Sequence, residues 1–252
     1  MAFIKTVFVF LFIGVTVILA TPMGLALFIL RCLGRKKAVL FLTRQVAQIW
    51  AWLLIRAIGC DVEIRGRENI PPTGGLCFVS NHCGYFDIVL ILATVGRQVG
   101  FIAKKELIFV PLINFWIILI GGFFIDRKNT RKSLATIKSG AKRIQAGESI
   151  LIFPEGHRSK GRGLLPFHPG SFKLATEAEA PIIPVSITGS YDIFEKTGRV
   201  TAAPVRITFG RPVITRDIPA GDRRQALSDH VRELIAADLA ESERDIAQTG
   251  EG

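Results

Sequence analysis

His82 and Asp87 stand five residues apart in the run Asn81-His82-Cys83-Gly84-Tyr85-Phe86-Asp87, and such a pair can act as a general base. A carboxylate behind an imidazole fixes its tautomer and stabilises the imidazolium once a proton has been taken. On a regular helix, residues at this spacing lie about 140° apart and their side chains cannot meet. They meet if Cys83 and Gly84 form a turn, which Gly84 permits, and Asp87 falls in the first turn of the helix that follows. Taken alone, the spacing is explained at least as well by a histidine closing a strand and an aspartate favoured at a helix N-terminus.

A second chemical cluster, Phe153-Pro154-Glu155-Gly156-His157-Arg158-Ser159-Lys160-Gly161-Arg162-Gly163, follows the apolar Ile150-Leu151-Ile152. Its three cations and three glycines can wrap an anion: Arg158 offers a bidentate fork, and the glycines let backbone approach closely. Glu155, beside that fork, is expected to orient Arg158 or to accept a substrate hydroxyl. A solvated basic loop is the plainer alternative, weakened by the Pro-Glu-Gly turn directly after a buried strand. The spacing is not that of a nucleotide P-loop. In Gly121-Gly122-Phe123-Phe124-Ile125-Asp126-Arg127, a strand ends in a charge pair; Asp126 and Arg127 form a structural ion pair, or Arg127 binds substrate if the other sites are near. Lys104 and Lys105 occupy a comparable position after another strand, whereas the two prolines of Ala180-Pro181-Ile182-Ile183-Pro184-Val185 mark an edge strand or a sheet entry. Residues 100–165 hold 12 Lys and Arg against 4 acidic residues, so the basicity gathers around these segments.

The elements that must position these groups are short. Strand-like runs fall at 61–65, 76–80, 99–103, 122–126, 149–153, 182–188 and 205–209. Helical periodicity fits 85–95, 107–119, 130–146, 171–178 and 223–239. This alternation predicts an α/β fold, a mostly parallel sheet covered by helices, with function in the loops at the C-terminal ends of the strands.

Ahead of that domain the chain is apolar. From residue 6 to residue 30 there is no charge, a helical length of roughly 37 Å against a hydrocarbon core of roughly 30 Å. Membrane insertion is expected, as an uncleaved anchor rather than a signal peptide, because the apolar run continues past Ala20. Pro22 makes a kinked or re-entrant helix as reasonable as a straight span. Arg31, Arg35, Lys36 and Lys37 follow the segment, which by the positive-inside rule keeps the remainder on the cytoplasmic side of the cell membrane. Residues 38–59 mix Leu, Ile, Trp50 and Trp52 with Arg44 and Arg56, as in a helix at the interface or one packed on the domain. The expected division is a membrane-anchoring region at 1–59, an α/β domain at 60–240 and a polar, frayed tail at 241–252.

Composition agrees with that division. Of 252 residues, 49% are hydrophobic and 21% charged, with a mean hydropathy of +0.38, which excludes disorder, collagen and a polytopic channel. With 32 Lys and Arg against 21 Asp and Glu, the net charge of +11 selects anionic partners. Nucleic acid is disfavoured, since the basic residues lack interleaved aromatic platforms. The four cysteines have neither metal-ligand spacing nor disulfide-scaffold density, so reduced thiols and no metal site are expected.

Taken in order, Asn81-His82-x4-Asp87, Gly121-x2-Phe124-Ile125-Asp126-Arg127, Phe153-Pro154-Glu155-Gly156-x-Arg158-Ser159 and Pro181-x2-Pro184-Val185 resemble the four blocks of the glycerolipid acyltransferase family, the 1-acyl-glycerol-3-phosphate acyltransferases. The resemblance spans roughly residues 61–215. Two positions depart from it: Gly84 stands where many members have Ser, and His157 where Thr is usual. The resemblance implies transfer of a fatty acyl group from acyl-CoA or acyl-carrier protein, a co-substrate rather than a cofactor, to the sn-2 hydroxyl of a lysophospholipid at the membrane. His82 would deprotonate that hydroxyl, Asp87 would hold His82, and the alkoxide would attack the thioester directly, so Cys83 is not the nucleophile. Arg158, with Arg127 and Lys104, would receive the acceptor's phosphate, and Glu155 and Gly156 would shape its pocket. Acylation of another lysolipid, such as lyso-ornithine lipid or a lysophosphatidylcholine-like acceptor, is the alternative within the same chemistry. A non-catalytic binder of anionic lipid is the alternative outside it, and the presence of His82, Asp87, Glu155 and Arg158 weighs against it.

Overall fold

In a computed structural model of the chain, which describes residues 2–126, 129–218 and 222–249, strands β1 (Asp61–Arg65), β2 (Cys77–Ser80), β3 (Gly100–Lys104), β4 (Phe123–Ile125), β5 (Ile150–Ile152), β6 (Ile182–Thr188) and β7 (Pro204–Phe209) build one sheet. Their spatial order is β1-β7-β6-β2-β5-β3-β4. Every neighbouring pair is parallel except β6 and β7. This is the α/β class with a mostly parallel sheet that the alternation predicted.

Side chains alternate across the central strands because successive residues of a strand point to opposite faces. In β2, Phe78 enters one core while Cys77 and Val79 enter the other; in β5, Leu151 opposes Ile150 and Ile152 in the same way. Both faces are therefore apolar, and helices cover both. Helices α1 (Ala2–Leu19), α2 (Thr21–Cys32), α3 (Lys36–Ile58) and α4 (Asp87–Thr94) gather toward one side, followed along the chain by α5 (Ile113–Leu119), α6 (Thr130–Gln145), α7 (Lys173–Ala178), α8 (Ser190–Ile193) and α9 (Arg223–Thr249). Ala51, Leu54, Ile55 and Ile58 of α3 join Leu90 and Ile91 of α4 on the first face. Ile144 of α6, Leu174 of α7 and Leu227, Val231 and Ile235 of α9 close the second.

The apolar amino-terminal run is two helices, broken at Ala20 ahead of Pro22, as the proline allowed. Both α1 and α3 are long and apolar enough to cross a membrane. They are nonetheless attached to the domain. Thr6 Oγ1 accepts from Val200 N at 2.8 Å, the rings of Phe10 and Phe194 meet edge to face, and Gln48 Nε2 of α3 donates to Ala93 O at 3.1 Å, while Thr16 Oγ1 accepts from Trp50 Nε1 at 2.9 Å and ties α1 to α3. The opposite faces stay bare of protein: Phe3, Phe8, Leu11 and Ile18 on α1, and Phe41, Ile49 and Leu53 on α3, are exposed.

Two expectations need correction. The helix expected at 107–119 is a 3₁₀ turn, Lys105–Phe109, and then α5 from Ile113, because Pro111 has no N–H to continue the ladder and Leu112 takes φ +64°. The tail expected to fray from Glu241 remains helical to Thr249 as part of α9. Two of its acidic residues are held from the sheet: Asp245 accepts from Arg206 at 2.9 Å and from Arg65 at 3.2 Å, and Glu241 from Arg65 at 3.5 Å.

Candidate active site

Strands β2, β5, β3 and β4 are parallel neighbours, so the loops after them emerge along one edge of the sheet. That edge collects residues 81–87, 104–106 and 153–168, and β6, parallel to β2, adds the segment that begins at Gly189. A cleft of about 970 Å³ opens there, with His82, Phe153, Lys104, Gly156 and Arg158 among its walls.

The turn that lets His82 and Asp87 meet does form. His82 Nδ1 and Asp87 Oδ2 are 2.6 Å apart. The same oxygen accepts from Cys83 N at 2.7 Å and Gly84 N at 3.0 Å, and Asp87 Oδ1 accepts from Ser190 Oγ at 2.5 Å. Asp87 is fully buried at the start of α4. An aspartate held this way presents an acceptor to Nδ1 and leaves Nε2 as the basic nitrogen. Phe153 stacks on the imidazole at 4.1 Å between ring centroids, and Asn81 locks the turn to β6 through Ile187, giving a bond to its O at 2.9 Å and taking one from its N at 2.8 Å.

Glu155 does not orient Arg158. It is 1% exposed; its Oε1 accepts from His82 N at 2.6 Å and its Oε2 from Leu165 N at 3.2 Å. It therefore ties the loop after β5 to the loop after β2, a bond reinforced by Ser159 N donating to His82 O at 2.7 Å. Burial pushes the Glu155 carboxyl above its ordinary range, against the pull of those two backbone donors. The partner of Arg158 is Glu195, at 3.1 Å, and the guanidinium lies over the Tyr85 ring at 3.6 Å from the centroid. Gly156 turns with φ +76°, a conformation that suits glycine.

Lys104 also lines the cleft, 60% exposed and 3.4 Å from Glu106. Arg127 lies outside the described residues. Its neighbour Asp126 pairs with Lys105 at 2.8 Å. Cys83 has its thiol pushed up to about 12, first by burial and then by the Asp87 charge, so it is held as a neutral thiol, a poor nucleophile. Thus the structure brings His82, Gly156, Arg158 and Lys104 around one cleft and sets Asp87 and Glu155 behind it. Ser190, Tyr85 and Glu195 were not singled out from the sequence. A Gly-Ser pair after a strand is a visible signal for Ser190; Glu195 has none, because it reaches the site only through the packing of the segment after α8.

Comparison with known proteins points the same way. A family model described as acyltransferase matches residues 61–188. A 1-acyl-sn-glycerol-3-phosphate acyltransferase of Salmonella typhimurium is 31% identical over 191 residues, 75% of this chain and 77% of that protein. The alpha form from Mus musculus is 33% identical over 177 residues, and a chloroplastic form from Brassica napus is 28% identical over 197. The chain spans only 62% and 55% of the lengths of these last two. The crystal structure of a 1-acyl-sn-glycerophosphate acyltransferase, PlsC, from Thermotoga maritima superposes with a TM-score of 0.80 at 26% identity, covering 95% of each chain.

Proposed function

The chain belongs to the acyltransferase family, and from that premise we propose that it transfers a fatty acyl group from a thioester to the sn-2 hydroxyl of lysophosphatidic acid, giving phosphatidic acid. The observation that carries the proposal is the bond between His82 and Asp87 at the wall of a cleft that also presents Arg158. The acceptor's phosphate meets Arg158 and Lys104, which sets its hydroxyl beside His82. His82 Nε2 takes the hydroxyl proton, and Asp87 stabilises the imidazolium. The alkoxide oxygen bonds to the thioester carbonyl carbon, the carbon–sulfur bond breaks, and the thiolate leaves with the proton returned from His82. Atoms and charges balance without an acyl-enzyme, consistent with the protonated Cys83.

The apolar outer faces of α1 and α3 and the surplus of basic residues support a place at a membrane surface, where acceptor and product reside. We assign the α/β domain to the cytoplasmic side on the charge asymmetry around α2. The test is acyl transfer by the purified chain with lysophosphatidic acid, lyso-ornithine lipid and lysophosphatidylcholine as acceptors, each with acyl-CoA and with acyl-carrier protein. Thiol release in step with phosphatidic acid formation is expected. Turnover confined to another lysolipid would move the acceptor assignment, and retention on anionic vesicles with no thiol release under any combination would make the protein a lipid binder.

A further inference from the structure

We propose that Glu195 is the positioning residue of the phosphate fork: it holds Arg158 against the same turn that carries His82 and Asp87, and Gly84 is the position that makes room for it. The inference rests on the acyl transfer proposed above.

Glu195 follows α8 and its side chain is only 8% exposed. Its Oε1 accepts from Tyr85 N at 2.5 Å and from Arg158 Nη1 at 3.1 Å. Its Oε2 is buried with no hydrogen-bond partner among the described residues, and it stands 2.7 Å from the place a Cβ on residue 84 would occupy. Tyr85 therefore contributes twice, its amide to the carboxylate and its ring to the face of the guanidinium. Together these contacts take one nitrogen and one face of Arg158 and leave the others for an anion.

A free arginine on a loop samples many rotamers, and a planar fork recognises phosphate well only when it is held still. The clamp does that from the backbone of residue 85, three residues from the proposed base. The distance between the acceptor's phosphate and its reacting hydroxyl is thereby matched to a fixed distance in the protein. A side chain at position 84 would bring its Cβ against the Glu195 carboxylate. Gly84 and Glu195 thus form a matched pair. A purely structural role would need only the bond to Tyr85 N, not the second one to the fork.

The experiment compares the full chain with Glu195→Gln, which keeps an oxygen for Tyr85 N and removes the charge. With acyl-CoA as donor, the KM for lysophosphatidic acid should rise about tenfold, the scale of one charge-assisted hydrogen bond, while the KM for donor stays within about twofold. Arg158→Ala should raise the acceptor KM as well, and adding Glu195→Gln to it should change nothing further. Equal rises for both substrates, a fall in kcat alone, an unchanged or lower acceptor KM, or additivity of the two substitutions would each overturn the proposal. If Glu195→Gln does not fold, Glu195→Asp, which keeps the charge but draws it back from Arg158, carries the same expectation. Calorimetric binding of lysophosphatidic acid without donor separates the two levels. Binding weakened in Glu195→Gln upholds the clamp even if the wild-type chain transfers no acyl group, in which case only the reaction falls; unweakened binding removes the clamp and leaves the reaction untouched.

Discussion

At the scale of residues, the chemistry is concentrated in one strand-to-helix turn. The amides of His82, Cys83, Gly84 and Tyr85 all donate to carboxylates, those of Glu155, Asp87, Asp87 again and Glu195. Replacing His82 with Ala should lower turnover by about 10²–10⁴-fold with the fold retained, the loss typical of a general base, whereas Cys83→Ser should stay active; a dead, folded Cys83→Ser protein would point to an acyl-cysteine. Glu155 supplies a pH signature. Burial raises its carboxyl above the ordinary 4.5, so the folded chain binds that proton more tightly than the unfolded one. Stability therefore falls as pH rises from about 4.5 through the raised value and levels off above it. Thermal unfolding of wild type and Glu155→Gln over about pH 4 to 8 should show a difference that shrinks with rising pH in that window; a difference that grows would contradict the sign. The motif residues were legible because chemistry restricts their types and order. Glu195 was not, since any residue in that segment is free in sequence until the fold brings it under Arg158. Glu155 was misjudged for the same reason: adjacency in the chain suggested Arg158, and the fold turned its side chain to backbone amides instead.

At the scale of elements, short apolar runs made all seven strands visible, and their ends moved by at most one residue. What periodicity could not show is where helical patterns are interrupted or extended by tertiary contacts. Pro111 splits the expected helix at 107–119, a breaker that the apolar pattern masked. The polar carboxyl-terminal stretch looked disposable because nothing in its own composition packs, yet Arg206, with a side chain 8% exposed on β7, is held by Glu63 at 2.6 Å and Asp245 at 2.9 Å. Asp245→Ala leaves that nearly buried guanidinium with fewer acceptors, at a cost of about 1 kcal/mol. The melting temperature should drop by roughly 2–4 °C for a chain of this size; no shift on calorimetry would mean that the end of α9 does not hold the sheet.

At the scale of the whole molecule, the apolar amino-terminal helices and the α/β domain form one piece. Removing residues 1–30 strips Thr6 and Phe10 from Val200 and Phe194, next to the segment that carries Glu195. The shortened chain should lose activity on bilayer-embedded acceptor and also melt several degrees lower; bilayer activity lost with the melting temperature unmoved would make α1 an independent anchor. The attachments of α1 run from residue 6 to residue 16, about 15 Å of helix. A helix spliced over that length to the domain at one end and to α3 at the other behaves as a handle rather than a tether. It fixes the azimuth and height at which the cleft is presented to lipid, much as the length of a key's shank fixes the depth of its bit. One alanine inserted between Phe10 and Thr16 would turn one set of attachments by about 100° relative to the other. The catalytic machinery would be unaltered in sequence and delivered to the wrong depth, so activity should fall on bilayers of ordinary thickness and recover on short-chain acceptors free in water.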